Sequence, residues 1–343
     1  MLLAVNFHYI QPEGRYPYPG IYPTPADKLE DQLIELEKYF ELISGEDLVR
    51  AVIEGRGLPE RACVITFDDG LKEQFTEAAP VLERHGVSGV FFICTQPLSE
   101  GVALNVHKMH RLRATRPPEQ FLAEVVEVTE SIGMSLNLDQ VDDEAANQQY
   151  LYDDLATKRI KYLLNHVILF SDFERLIDAM FSREFDEAEF CHEMYMDEKQ
   201  ICALSEKHMI GSHSHSHCPL VILENQDIAK DLLRSRTILE NVMSKEVRII
   251  SYPYGGVTAV SENVANAAKE AGFAAGFTME RSLNLSLIYP QLLARVSTND
   301  APGGKSPLLA IDGDSNAFTY HPPMTEYRTL FIDEGVLVER SGR

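Results

Sequence analysis

The stretch Ala62-Cys63-Val64-Ile65-Thr66-Phe67-Asp68-Asp69-Gly70 decides the fold. Its opening residues are apolar and partly β-branched, which reads as a buried strand. Gly70 follows the two carboxylates, and a helical pattern begins at Leu71. Asp68 and Asp69 therefore stand where a strand ends and a helix begins, the edge at which α/β folds build sites. Adjacent carboxylates repel, and burying both is costly unless a metal or a hydrogen-bonded partner compensates. Asp-Gly is also an ordinary turn pair, so the stretch taken alone reads equally well as a tight turn.

Working outward, the same rhythm recurs. Val5 to Ile10 reads as a first strand with His8 and Tyr9 at its end. A loop rich in Pro, Gly and Tyr runs from Pro12 to Pro25; its Tyr16, Tyr18 and Tyr22 suit either a sugar site or packing on their own domain. Thr24-Pro25 starts a helix, with Thr as cap, Pro in the first helical position and an apolar stripe of Leu29, Leu33, Leu36 and Phe40. A helix from about Leu71 to His85 closes at Gly86, and Val90 to Ile93 is another buried strand. Strand alternating with helix implies a parallel sheet with right-handed crossovers. From about 100 to 196 the chain turns charged and helical in spacing, and it reads as a helical insertion on an α/β core. His107 and His110 lie one turn apart within it; an ordinary helix face is the preferred reading over a metal site. The α/β rhythm resumes with a helix near Asp197 to Lys207 and the run Met209-Ile210-Gly211. Val247 to Ser251, Phe273 to Phe277 and Leu292 to Val296 read as the last core strands. The expectation is one catalytic domain over residues 1–343, with the helical insertion and a C-terminal extension of about 301–343.

The formal net charge of -22 disfavours nucleic acid or an anionic membrane as partner. No apolar run approaches the roughly 20 residues of a membrane span. The N-terminal Met1-Leu2-Leu3-Ala4-Val5 lacks a basic region and a cleavage site, and reads as a strand. The five cysteines (Cys63, Cys94, Cys191, Cys202, Cys218) are odd in number and show no Cys-x-x-Cys spacing. Together these point to a reduced, cytoplasmic protein; oligomeric state is not legible.

The second decisive stretch is His213-Ser214-His215-Ser216-His217. On a helix, His213 and His217 would share one face and could grip one ion with Asp69, a set that leaves positions open for water or substrate. On a strand all three histidines would share a face, so both geometries stay open. A pH-sensitive polar loop is the plainer alternative.

Thr66-Phe67-Asp68-Asp69-Gly70, then His213-Ser-x-x-His217, then a strand ending Tyr252-Pro253-Tyr254-Gly255, in that order, resemble the metal-dependent polysaccharide deacetylases of carbohydrate esterase family four. The resemblance covers roughly 5–96 and 197–300. It implies a distorted (β/α) barrel of about seven parallel strands. It also implies hydrolytic removal of an acetyl group, most often N-acetyl, from a saccharide or sugar conjugate, with a divalent metal, Zn2+ foremost. Position by position, it implies Asp68 as general base, Asp69, His213 and His217 as metal ligands, and the Tyr254 backbone amide at the oxyanion. Two departures stand out. Ser251 occupies the place of an arginine that holds the base in many relatives; Arg295 is the candidate replacement, against the alternative of a surface arginine. The C-terminal Leu-x-His that supplies the general acid is missing; His321 is the nearest substitute, and His8 another. Two competing readings remain: a cyclic amide or ureide hydrolase on the same scaffold, and a degenerate member that binds saccharide without turnover.

Overall fold

The computed structural model describes residues 1–150, 153–256, 258–307, 309–312 and 317–320. The chain forms two compact units: Met1–Gln11, Thr24–Glu100 and the described residues from Met194 on make the first, Pro12–Pro23 and the described residues of Gly101–Glu193 the second.

The first unit is an α/β barrel. Its chain runs β1 (Leu2–Phe7), α1 (Ala26–Glu37), β2 (Glu41–Leu42), α2 (Gly45–Glu54), β3 (Ala62–Phe67), a π-helical turn (Gln74–Ala78) leading into α3 (Ala79–Arg84), β4 (Val90–Ile93) and α4 (Thr95–Glu100). After the second unit's helices, α5 (Asn105–Ala114), α6 (Pro118–Ser131), α7 (Asp143–Gln149), α8 (Leu155–Tyr162), α9 (Phe170–Phe181) and α10 (Glu187–Met194), it continues with α11 (Glu198–Leu204), β5 (Met209–Ser212), α12 (Asn225–Met243), β6 (Ile249–Ser251), α13 (Glu262–Glu270), β7 (Ala275–Phe277) and β8 (Val296–Ser297). A short antiparallel pair, β9 (Leu309–Asp312) and β10 (Ala317–Tyr320), follows.

Seven parallel strands lie in the order β7-β6-β5-β4-β3-β1-β8, with β2 beside the start of β3. The first strand pairs with β3 over its whole length, Leu2 opposite Ala62 through Phe7 opposite Phe67. Every residue of both strands is buried, as a sheet covered on both faces requires. Alternate residues Leu2 and Ala4, Ala62 and Val64, Val90 and Phe92, Ile249, Ala275 and Phe277 pack into one cluster. β7, at one end of the order, meets β1 and Leu293, near the other end, in that cluster, so this face is the concave one and the sheet curls around it. Gly211 makes the curl possible on β5, because a Cβ there would stand 2.4 Å from the Phe92 ring. On the opposite face Phe7, Phe67 and Phe91 stack, with ring centroids 5.3 and 4.6 Å apart.

The last staves differ from the sequence expectation. Residues 292–296 do not form one strand. Pro290–Leu292 is a 3-10 turn, Leu293 bridges to Phe277, and only Val296–Ser297 pairs with β1. The segment thus changes partner midway, from β7 to β1, and joins the two edges of the curled sheet. The first strand starts at Leu2, within the N-terminal run read as a strand, and ends at Phe7, short of Ile10, where its register with β3 ends. The first helix starts one residue later than its cap signal suggested. Thr24 N–H is taken by the Tyr9 carbonyl, Pro25 keeps an extended ψ of 154°, and Ala26 is the first helical residue.

Among the described residues of 101–193 the regular elements are all helices, as the spacing there implies. The second unit also takes in Pro12–Pro23. Tyr22 donates to Asp153 at 2.8 Å and the Tyr16 ring lies under Arg111 at 5.0 Å, so these tyrosines pack within their own unit. His107 is buried in α5, its ring centroid 6.3 Å from that of His110. Buried Lys108 is held by Asp178 and Glu187 at 2.6 and 2.5 Å.

Candidate active site

The two aspartates leave β3 on a left-handed turn. Asp69 has φ of 81° and Gly70 φ of 72°, a conformation that Asp tolerates better than most side chains and Gly adopts freely. The Asp-Gly pair is therefore both a turn and a site. The turn sends the adjacent carboxylates in different directions, although both are buried.

Asp69 faces the histidines. Its Oδ1 lies 3.3 Å from His213 Nε2 and 3.2 Å from His217 Nε2. Ligating atoms of these residues all lie within 4.8 Å of one another, and they form the metal-type cluster found among the described residues. The histidines sit on neither a helix nor a strand. His213 follows β5, and the chain then turns through Ser214 at φ of 62° and His217 at φ of 53°. That loop brings the two rings to 5.0 Å between centroids. His215 faces away from the cluster, its ring nitrogens 2.9 Å from Thr95 Oγ1 and 3.3 Å from a Glu100 oxygen.

This donor set fits a divalent cation. His213 Nδ1–H donates to the Ser251 carbonyl at 2.7 Å, which leaves Nε2 as the ring's lone-pair nitrogen, turned toward Asp69. Fixing the tautomer through the far nitrogen is how metal-ligating histidines are oriented. One carboxylate oxygen and two imidazole nitrogens make a three-ligand set of the catalytic kind.

Asp68 faces the barrel interior, with Oδ2 at 4.0 Å from His213 Nε2. It is gripped by Arg295, whose Nη atoms donate to Oδ1 at 2.8 Å and Oδ2 at 2.7 Å. Asn6 Nδ2 and Ser251 Oγ each donate to Oδ2 at 3.1 Å. Arg295 also donates to Ser251 Oγ, Thr66 Oγ1 and the Thr278 carbonyl. Its guanidinium lies 5.5 and 5.7 Å from the ring centroids of Phe92 and Phe277. Arg295 is fully buried, so the surface-arginine alternative is corrected: it is an interior cation carried on the segment that joins the sheet edges. Ser251 Oγ accepts from Arg295 while donating to Asp68. The cation beside Asp68 thus comes from a different stave than Ser251, and the serine bridges to it.

The electrostatics follow. Burial would raise the Asp68 pKa, but the Arg295 charge, then that of His213, outweigh it and push it down to about 2. Asp68 is therefore a carboxylate at any ordinary pH. Burial would lower the His213 pKa, yet the charges of Asp68 and Asp69 leave it raised.

Tyr254 has φ of 62° and exposes its side chain, with the ring centroid 5.4 Å from that of His217. His8 follows β1 and is exposed. Its carbonyl accepts from Gln74 Nε2 at 3.0 Å, and the same Nε2 donates to the Asp68 carbonyl at 2.6 Å. His321 lies outside the described residues. Asn6 and Gln74 were not singled out from the sequence. A polar residue closing the buried run Leu2–Phe7 was the available signal for Asn6; nothing local marks Gln74.

Comparison with known proteins agrees with this picture. The polysaccharide deacetylase family model matches residues 55–115 and 182–276, which include Asp68, Asp69, His213, His217 and Tyr254 but neither Arg295 nor His8. No curated protein matches the sequence. Among solved structures, the deacetylase PplD of Streptococcus pyogenes in complex with acetate is similar with a TM-score of 0.53 at 11% identity, over 88% of this chain and 93% of that one. IcaB from Ammonifex degensii is similar at 0.52 and 15% identity, over 86% and 91%. A de-N-acetylase from Aggregatibacter actinomycetemcomitans is similar at 0.53 and 14% identity, over 86% and 94%. At such identities the likeness speaks for the fold.

Proposed function

The chain belongs to the polysaccharide deacetylase family and is a deacetylase hydrolase, and on that footing we propose that it removes the N-acetyl group of a saccharide or sugar conjugate. One observation carries the reading: two adjacent buried carboxylates are given different partners, Asp69 two imidazoles and Asp68 a guanidinium. A structural turn has no need of that division; a hydrolytic site does. Asp69, His213 and His217 would hold Zn2+, which when bound supplies Lewis acidity toward the acetyl carbonyl and the attacking water.

The remaining work falls to side chains and backbone. Asp68, kept ionised and acceptor-only, takes the proton of the attacking water. Arg295, Asn6 and Ser251 fix the direction in which its oxygens face and act as positioning residues. The Tyr254 amide contributes a fixed dipole where the carbonyl oxygen gains charge. As the carbon–nitrogen bond breaks, the leaving amine needs a proton. His8 is the donor this reading assigns, since it is exposed at the end of β1 and its backbone is tied to that of Asp68 through Gln74. The products are acetate and a free amino sugar.

Acetate release from N-acetylated monosaccharides, nucleotide sugars and chitooligomers, measured with and without chelator, tests the proposal. Turnover of at least one of these that is lost with chelator and restored by Zn2+ is the expected result. Metal-replete protein inert on all of them, or turnover indifferent to both chelator and Asp68→Asn, would overturn it.

A further inference from the structure

The loop that carries the two histidine ligands has an unusual set of hydrogen bonds. Each of four consecutive backbone amides donates to a side chain. Ser214 N donates to Ser212 Oγ at 3.1 Å, His215 N to Asp231 Oδ1 at 2.8 Å, Ser216 N to Asp231 Oδ2 at 3.0 Å, and His217 N to Ser214 Oγ at 3.0 Å. One carboxylate thus takes the middle pair, one amide on each oxygen. Asp231 lies on α12 and is 8% exposed; Ser235, one turn on and fully buried, meets Ser212 Oγ at 2.7 Å. These residues at i and i+4 share a helix face, so α12 presents a two-point clamp to the loop.

Two of the loop residues, Ser214 and His217, are non-glycine residues at positive φ. Such conformations persist only where the surroundings hold them. The loop carbonyls are held as well: Ser214 and His215 accept from Thr95 N and Gln96 N at the start of α4. Asp231 touches neither histidine ring. What it fixes is the backbone between His213 and His217, and through it the separation of the two Nε2 atoms.

We propose that Asp231 is a positioning residue for the cation site, setting the loop so that both imidazoles face Asp69 before a metal ion arrives. The proposal rests on the reading of Asp69, His213 and His217 as metal ligands and goes beyond it, since Asp231 is no ligand and lies outside the reacting groups. Loss of an outer partner of this kind weakens metal affinity by about 10–100-fold. An asparagine at 231 keeps one acceptor but turns its NH2 toward an amide N–H. A glutamate keeps both acceptors on a longer stem.

The test is competition for Zn2+ between the full-length protein and a fluorescent chelator, run on wild type, Asp231→Asn and Asp231→Glu, with far-UV dichroism to verify folding. Asp231→Asn is expected to bind Zn2+ at least about 10-fold more weakly, with Asp231→Glu recovering part of the loss. Folded Asp231→Asn with affinity within twofold of wild type overturns the proposal and leaves the ligand assignment intact. Wild type that takes up no Zn2+ overturns the ligand assignment first. Should the variant not fold, hydrogen exchange on metal-free wild type decides: the amides of His215 and Ser216 are expected to exchange slowly, and fast exchange there would refute a preset loop.

Discussion

In an Arg295→Met variant, Asp68 keeps its place in the barrel interior and loses its counter-charge. The arginine makes five hydrogen bonds there, two of them to Asp68. Neither residue reaches solvent: their side chains are 0% and 3% exposed. Removing one partner of a buried ion pair costs about 3–5 kcal/mol, because the other charge stays buried without compensation. Asn6 and Ser251 still donate to Asp68, so a loss near the lower end, about 3 kcal/mol at neutral pH, is expected. The pH dependence carries the signature. In the wild type the Asp68 pKa is depressed to about 2, so its contribution to stability is present above the unfolded value of about 3.9 and is lost as pH falls through about 2. In the variant burial acts unopposed by the guanidinium and the pKa rises above the ordinary range. The penalty is then full above that raised value and shrinks as pH falls through it. Urea unfolding of both proteins between pH 4 and pH 8 reads the difference. It should be largest at the alkaline end and narrow toward pH 4, and adding Asp68→Asn to the variant should restore part of the stability. The acid limb of kcat/KM should move to higher pH, since the base now protonates sooner. A destabilisation below about 1 kcal/mol, or one independent of pH across this range, would refute the counter-charge role.

Asp68→Asn, which keeps the side-chain volume and removes the base, should lower kcat by about 10²–10⁴-fold while the protein still takes up its metal ion; unchanged acetate release would exclude Asp68 as base. His217→Ala, missing one of the ligands, should lose metal affinity by well over the loss at Asp231, and equal affinity by chelator competition would move the site elsewhere. His8→Gln should reduce kcat with KM and metal content little changed, and the reduction should be smaller on a substrate with a good leaving group; an equal loss on both would argue against proton donation. In the second unit, Lys108→Met should cost about 1–2 kcal/mol in urea unfolding, a limited loss because the partner carboxylates Asp178 and Glu187 are 55% and 39% exposed and can rehydrate.

The barrel and the Asp69-His213-His217 cluster were legible because their signals are local. A buried β-branched run closed by Asp-Asp-Gly states a strand, a turn and a charge in nine consecutive residues. The i, i+4 histidines were visible too, but the helix that would justify the spacing is absent. A loop through two left-handed residues brings the rings together, and φ cannot be read from Ser and His. Arg295 could be named as a candidate but not placed. Its role depends on Leu293 pairing with β7 and Val296 with β1, a change of partner in which no single residue is diagnostic. Asp231 and Gln74 act through backbone groups that every residue possesses, so nothing in the residues they hold announces them.

The position of Arg295 ties the counter-charge of Asp68 to closure of the sheet. Asp69, His213 and His217 all lie before residue 218, whereas the guanidinium beside Asp68 comes only with the segment that bridges β7 and β1. A sheet left unclosed keeps the Asp69-His213-His217 cluster yet leaves Asp68 without its counter-charge. Circularity itself becomes the licence for turnover, and a chain opened between Phe277 and Leu293 should be a competent ion binder with no hydrolytic output.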